Sequence, residues 1–200
     1  ENACVLHYVE NNQQLNNDDL LLVDAGCEYE MYAADITRTF PVSGKFSDEQ
    51  LAIYKVVLDA MNAAIDMVKP GNHIMQPQEI SEKVITEGLV KLGLLDGDPE
   101  ELHKSGAYKE FYMHKIGHWL GLDVHDAGDY VEGEEYMKFK PGMITTIEPG
   151  IYISSSMDID DKWKGIGIRI EDDILVTKDG NENLTKKVPS DPEEIESLMS

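Results

Sequence analysis

Two hundred residues suffice for one domain with a substantial core, and 42% apolar with 28% charged residues is ordinary for a globular chain. Thirty-nine acidic against 17 basic residues leave a net charge of −22, which argues against nucleic acid and anionic membrane as partners, since both need clustered Lys and Arg. No run is long and apolar enough to span a bilayer, and two cysteines (Cys4, Cys27) without a Cys-x-x-Cys pair disfavour a disulfide scaffold and point to a reducing, cytoplasmic compartment.

In chain order, residues 3–9 (ACVLHYV) read as a strand carrying His7, followed by a polar loop from Glu10 to Asp19. The sequence opens on Glu1 with this strand pattern already under way, which reads as part of a longer chain. Residues 19–42 hold two apolar runs about a polar centre and predict a β-hairpin. With its tip between Tyr29 and Glu30, Asp24 and Asp35 stand opposite each other, about 5 Å apart at Cβ. Ser47-Asp48-Glu49 caps a helix that ends at Lys69-Pro70-Gly71, and a second helix is predicted over 77–92. Residues 96–107 read as a polar loop, with His73 and His103 on the surface.

Three of the six histidines then fall within FYMHKIGHWLGLDVHD: His114, His118 and His125. His114 and His118 share a face, and Gly117 and Gly121 suggest that the backbone approaches something closely. Residues 126–136 form an acidic loop. MITTIE predicts a strand ending at Glu148, IYIS resumes extended structure, and 154–164 loop out. GIGIRIEDDILV alternates, so Arg169 and Glu171 share one face, while Asp172 falls on the apolar face and predicts a bulge or a hydrogen-bonded carboxylate. DPEEIESLMS reads as a capped C-terminal helix.

Four carboxylates therefore lie near the buried ends of apolar strands, where an unpaired charge costs several kcal/mol. Together with a histidine they suit a hard divalent ion (Mn²⁺, Mg²⁺, Fe²⁺ or Zn²⁺), and bridging carboxylates allow two ions about 3.5–4 Å apart. Taken singly, each has a plainer reading. Asp24 and Asp35 serve as turn carboxylates, Glu148 as a strand-end acid, Glu171 as a partner of Arg169, and His118 as a satisfied core histidine. Spacing alone does not decide whether they meet.

The blocks VDAG, ADITRTF, HKIGHWLGLDVHD, TIEPGIYI and GIGIRIEDDILVT, in that order over nearly the whole chain, resemble the pita-bread metallopeptidases, most closely the bacterial aminopeptidase P (Xaa-Pro aminopeptidase) branch. The resemblance implies an α+β fold of two pseudo-symmetric halves, with a curved antiparallel sheet and helices outside. Residues 1–200 are then a catalytic domain lacking its first part and a preceding N-terminal domain, in a protein expected to be a homo-oligomer. It further implies two divalent ions, Mn²⁺ expected, on Asp24, Asp35, His118, Glu148 and Glu171, with Asp35 and Glu171 bridging. A hydroxide shared by the ions would attack the Xaa-Pro carbonyl of a peptide with proline in second position. Glu148 would shuttle the proton, His125 would stabilise the oxyanion, and His7 and His114 would line the substrate pocket. Arg169 would orient a ligand carboxylate, and Tyr152 matches a family tyrosine near the site. Prolidase, which takes dipeptides only, is the nearest rival; methionine aminopeptidase and a non-catalytic pita-bread interaction module are weaker ones.

Overall fold

The computed structural model describes residues 2–200. The core is organised by two antiparallel helices. α1 (Asp48–Ile65) starts at a capping box: the Gln50 N–H donates to Ser47 Oγ at 3.2 Å, and the Ser47 N–H donates to Gln50 Oε1 at 3.0 Å. Its buried stripe, Ile53, Tyr54, Val57, Ala60, Met61 and Ala64, follows helical spacing and faces the sheets and α2 (Gln76–Lys91). Both helices form, α2 within one residue of its predicted bounds, while α1 stops at Ile65, short of the predicted end at Lys69-Pro70-Gly71. No helix among the described residues is long and apolar enough to cross a membrane.

All strand pairing is antiparallel, in short ladders. β1 (Leu20–Ala25) pairs with β4 (Ile36–Pro41), and the hairpin continues through β2 (Glu28–Tyr29) and β3 (Tyr32–Ala33). Further along lie β5 (Val131–Glu132) and β6 (Glu135–Tyr136), then β7 (Ile144–Ile147), β8 (Gly150–Ile153), β9 (Ile166–Arg169), β10 (Asp172–Val176) and β11 (Asn181–Asn183). β8 pairs with β9, while β10 lies between β7 and β11.

Several expectations need correction. Residues 3–9 are not a strand: Asn2–Cys4 forms a 3-10 turn against β9, and the Cys4 thiol donates to the Ile166 carbonyl. A short apolar run carries no periodicity strong enough to distinguish the two. The hairpin tip is Glu30-Met31, at φ 50° and 72°, not Tyr29-Glu30. A tip moved by one residue moves the register by two, so Asp24 faces Thr37 rather than Asp35. Asp35 still shares that face, because it lies two residues before Thr37. The 96–107 loop contains α3 (Pro99–Ser105), capped by Asp98 and closed by Gly106 at φ 76°. The 126–136 loop contains the β5–β6 hairpin. His73 and His103 are half-buried, stacked on Tyr136 and Tyr108. The C-terminal helix, α4 (Pro192–Met199), forms with Asp191 as its cap, as expected.

GIGIRIEDDILV is two strands, because the chain leaves the β8 ladder after Arg169 and joins β7 at Asp172. Asp172 is the hydrogen-bonded carboxylate the pattern requires. It accepts from Arg38 Nη2, Thr185 Oγ1 and Asn183 Nδ2, each at 2.7 Å. Arg38, 2% exposed, places all five donors: on Asp172 and on the carbonyls of Thr37, Glu171, Val188 and Pro189. This node ties β4 to the residues around Glu171. Arg38→Met strands the Asp172 charge in the core and is expected to destabilise the fold by about 3–5 kcal/mol, measured by chemical denaturation. A loss below about 1 kcal/mol would show that water reaches the carboxylate.

Candidate metal centre and active site

The β1–β4 hairpin supplies Asp24 and Asp35. The segment after a 3-10 turn (Ala107–Glu110) supplies His118, the end of β7 supplies Glu148, and the gap between β9 and β10 supplies Glu171. Gly117 permits one of these approaches, since a methyl there would overlap the Thr146 carbonyl of β7. At Gly121 the obstacle would be the Asp126 carboxylate. These are the close approaches that the glycines in this stretch suggest. They let the His118 N–H donate to Thr146 Oγ1 at 3.1 Å while the Thr146 N–H donates to the His118 carbonyl at 3.0 Å.

One candidate ligand atom from each of Asp35, His118 and Glu171 lies within 4.8 Å of the others. His118 Nε2 stands 3.5 Å from both Asp35 Oδ2 and Glu148 Oε1, too long for a strong hydrogen bond to either. Its Nδ1 donates to the Trp119 carbonyl at 3.0 Å, so in the neutral ring the Nε2 lone pair points toward the carboxylates. Donor atoms so placed surround a point rather than pair with one another. Asp24 stands beside Asp35 and accepts from Arg169 Nη2 at 2.6 Å.

Electrostatics carry the same sense. Burial, together with the charges of Glu148 and Asp35, pushes Glu171 up to about 9. Burial pushes Glu148 up to about 7, with the His118 and Arg169 charges pulling against it. Burial raises Asp24 too, against the pull of Arg169. Asp35 is lowered: burial opposes ionisation, but its neighbours His118, Asp24 and Arg169 outweigh it. His118 is raised despite burial, chiefly by Asp35. Fully ionised, the four clustered carboxylates carry more negative charge than the Arg169 guanidinium among them neutralises, which is why burial and their mutual repulsion favour bound protons in the metal-free site. One imidazole with four carboxylate groups is a hard donor set, and it fits divalent cations of the Mn²⁺ or Zn²⁺ kind.

These groups open on a cavity of about 590 Å³ that His7, His114 and His125 also line. The His125 ring meets His118 edge-on at 4.3 Å between centroids. Tyr152 does not line the cavity. It lies buried behind His114, bonded to His114 Nε2 at 2.8 Å, and it accepts from Arg169 Nη1 at 3.3 Å. His114 Nδ1 is bonded to the Lys115 carbonyl at 2.7 Å, so both ring nitrogens are engaged. Burial depresses His114 to about 4, which keeps the ring neutral. Arg169 and Glu171 share a face, as the alternation predicts, and both reach Thr37. Sequence reasoning passed over Thr37, although it sits one alternation beyond Asp35. It also passed over Gln78, a buried residue of α2 whose Oε1 accepts from the Ile116 N–H at 2.6 Å, and nothing in the sequence marks that residue.

Residues 1–178 match the model of metallopeptidase family M24. The chain is 53% identical over 199 residues to a Xaa-Pro aminopeptidase of Haemophilus influenzae, covering 100% of this chain and 46% of that protein. It is 49% identical to the Xaa-Pro aminopeptidase of Escherichia coli K12, covering 100% and 45%. Among solved structures it superposes on Pseudomonas aeruginosa aminopeptidase PepP with a TM-score of 0.97 at 55% identity, covering 99% of this chain and 45% of that one. An Escherichia coli aminopeptidase P variant in complex with substrate gives 0.96 at 48%, with the same coverage. The chain thus spans about half the length of the relatives it matches. With most of its residues on the family pattern and its backbone superposing on these structures, the chain belongs to metallopeptidase family M24, with the pita-bread fold.

Proposed function

We propose that the protein carrying this chain removes the N-terminal residue from peptides with proline in second position, using two divalent ions, with Mn²⁺ as the expected metal. The observation that carries this reading is the convergence of Asp35, His118 and Glu171 donor atoms within 4.8 Å, at a cavity also lined by three other histidines. Relatives named Xaa-Pro aminopeptidase at 49–53% identity support the substrate class. Asp24, Asp35, His118, Glu148 and Glu171 would hold the ions, which when bound acidify a water and polarise a carbonyl.

The chain's own residues do the remainder. Glu148, held by its N–H on the Ile116 carbonyl at 2.8 Å, is suited to carry a proton to the leaving proline nitrogen. His125, at the exposed lip beside His118, would donate to the developing oxyanion. His114 has no free ring nitrogen, so its contribution to substrate is its ring surface, which suits packing against proline. His7 stands on the same cavity and would complete the proline side. Tyr152 and Arg169 act behind these groups, Tyr152 on His114 and Arg169 on Asp24.

The test is release of the first residue from Arg-Pro-Pro by the metal-stripped protein with and without added Mn²⁺. Turnover that depends on Mn²⁺ and vanishes in Asp35→Asn is expected. Equal turnover in Asp35→Asn would rule the metal mechanism out. Hydrolysis of Xaa-Pro dipeptides with no cleavage of the tripeptide would make the protein a prolidase instead.

A further inference from the structure

We infer that Thr37 is a positioning residue of the metal centre, its hydroxyl fixing the orientation in which the Glu171 carboxylate is presented to Asp35 and His118. This rests on the two-ion reading above and goes beyond it. Thr37 is fully buried, and its single hydroxyl proton has one destination, Glu171 Oε2 at 2.6 Å. Arg169 Nε donates to the same hydroxyl at 3.2 Å, so Oγ1 accepts on one side and donates on the other. The backbone completes the grip, as the Glu171 N–H donates to the Thr37 carbonyl at 3.0 Å.

A directed chain of hydrogen bonds results. Arg169 Nη2 holds Asp24 Oδ2 at 2.6 Å, Arg169 Nε holds Thr37, and Thr37 holds Glu171. It joins the carboxylate of the first hairpin to the carboxylate between β9 and β10, across more than 130 residues of sequence. The terminal torsion of a glutamate is broad, so without such a clamp the plane of the carboxylate is free to turn away from the centre. At 2.6 Å this is a short O–H···O contact, and it resists that rotation. Across the site Thr146 repeats the device: it accepts from the His118 N–H at 3.1 Å and donates to Glu148 Oε1 at 3.3 Å. Two buried threonines thus each take one N–H and pass a proton donor to one acidic side chain of the cluster.

Thr37→Ser and Thr37→Ala differ by the hydroxyl alone and make the test, with isosteric Thr37→Val alongside. Mn²⁺ is titrated calorimetrically into the metal-stripped full-length proteins, and unfolding is followed separately in chelator. Thr37→Ser is expected to bind both ions close to wild-type affinity. Thr37→Ala and Thr37→Val are expected to weaken at least one ion by about 10–100-fold, the usual effect of losing a residue that orients a ligand, and to lower kcat more than they change KM. Binding by the Ala variant equal to that of the Ser variant would overturn the inference. So would failure of both hydroxyl-free variants to fold in chelator while Ser folds, since Thr37 would then be a structural residue. Wild-type protein binding fewer than two ions would overturn the two-ion reading instead.

Discussion

Exchange of Glu148 for glutamine is expected to lower kcat by about 100- to 10,000-fold, the range for loss of a positioned proton-transfer group. The substitution keeps the side chain's length, so the Thr146 contact and the backbone bond to Ile116 persist. It removes both the titratable proton and one negative charge from the cluster. Burial lifts the Glu148 carboxyl to about 7 in the metal-free site, with the His118 and Arg169 charges pulling against it. KM should change little if the residue acts in the chemical step rather than in binding. Steady-state kinetics at saturating Mn²⁺ check this; a fall in kcat of less than tenfold would remove Glu148 from the proton path.

The metal-free protein is expected to lose stability as pH rises from about 5 to about 9, by an amount on the order of 5 kcal/mol. Glu171 at about 9 and Glu148 at about 7 both stand above the ordinary glutamate value of 4.5. Above pH 4.5 the unfolded chain releases protons that the folded chain retains. Folding then takes up protons, and stability declines until each folded pKa has been passed. His118, also raised, acts in the same direction: the stability it contributes is present below its unfolded pKa and lost as pH rises through its folded one. Asp35 is lowered and acts oppositely, but its contribution is complete below this window. Divalent ions replace the retained protons, so the increase in melting temperature on adding Mn²⁺ should be larger at pH 8.5 than at pH 6. Calorimetry in chelator and in Mn²⁺ at the two pH values measures this. A metal increment that shrinks with pH would mean that the acidic cluster is not what the ions neutralise.

How much of this was legible in the sequence depended on how local each cause was. The same four residues, DPEE, open α3 at Asp98 and α4 at Asp191, and in both the aspartate side chain takes the two N–H groups of the following glutamates. The signal was read at the end of the chain and missed at 98–101, where the polar surroundings favoured a loop. The Ser47 capping box and the α1 stripe were legible because a helix answers to residues three and four apart. The strand pattern placed Arg169 and Glu171 on one face and marked Asp172 as anomalous, since side-chain direction in a strand depends only on parity.

Local pattern was enough for the two main helices, the α+β composition, the residue types of a hard-metal site and, through resemblance, which carboxylates and histidine would form it. Who faces whom came from the packed chain. It set Asp24 against Thr37, broke the GIGIRIEDDILV run between two ladders, and gave Asp172 to Arg38, 134 positions away. It also placed a threonine hydroxyl on Glu171. Alternation and helical period state the face a side chain occupies but not the element opposite it. That choice follows from packing and from the requirement that every buried donor and charge find a partner, which holds for the whole chain at once.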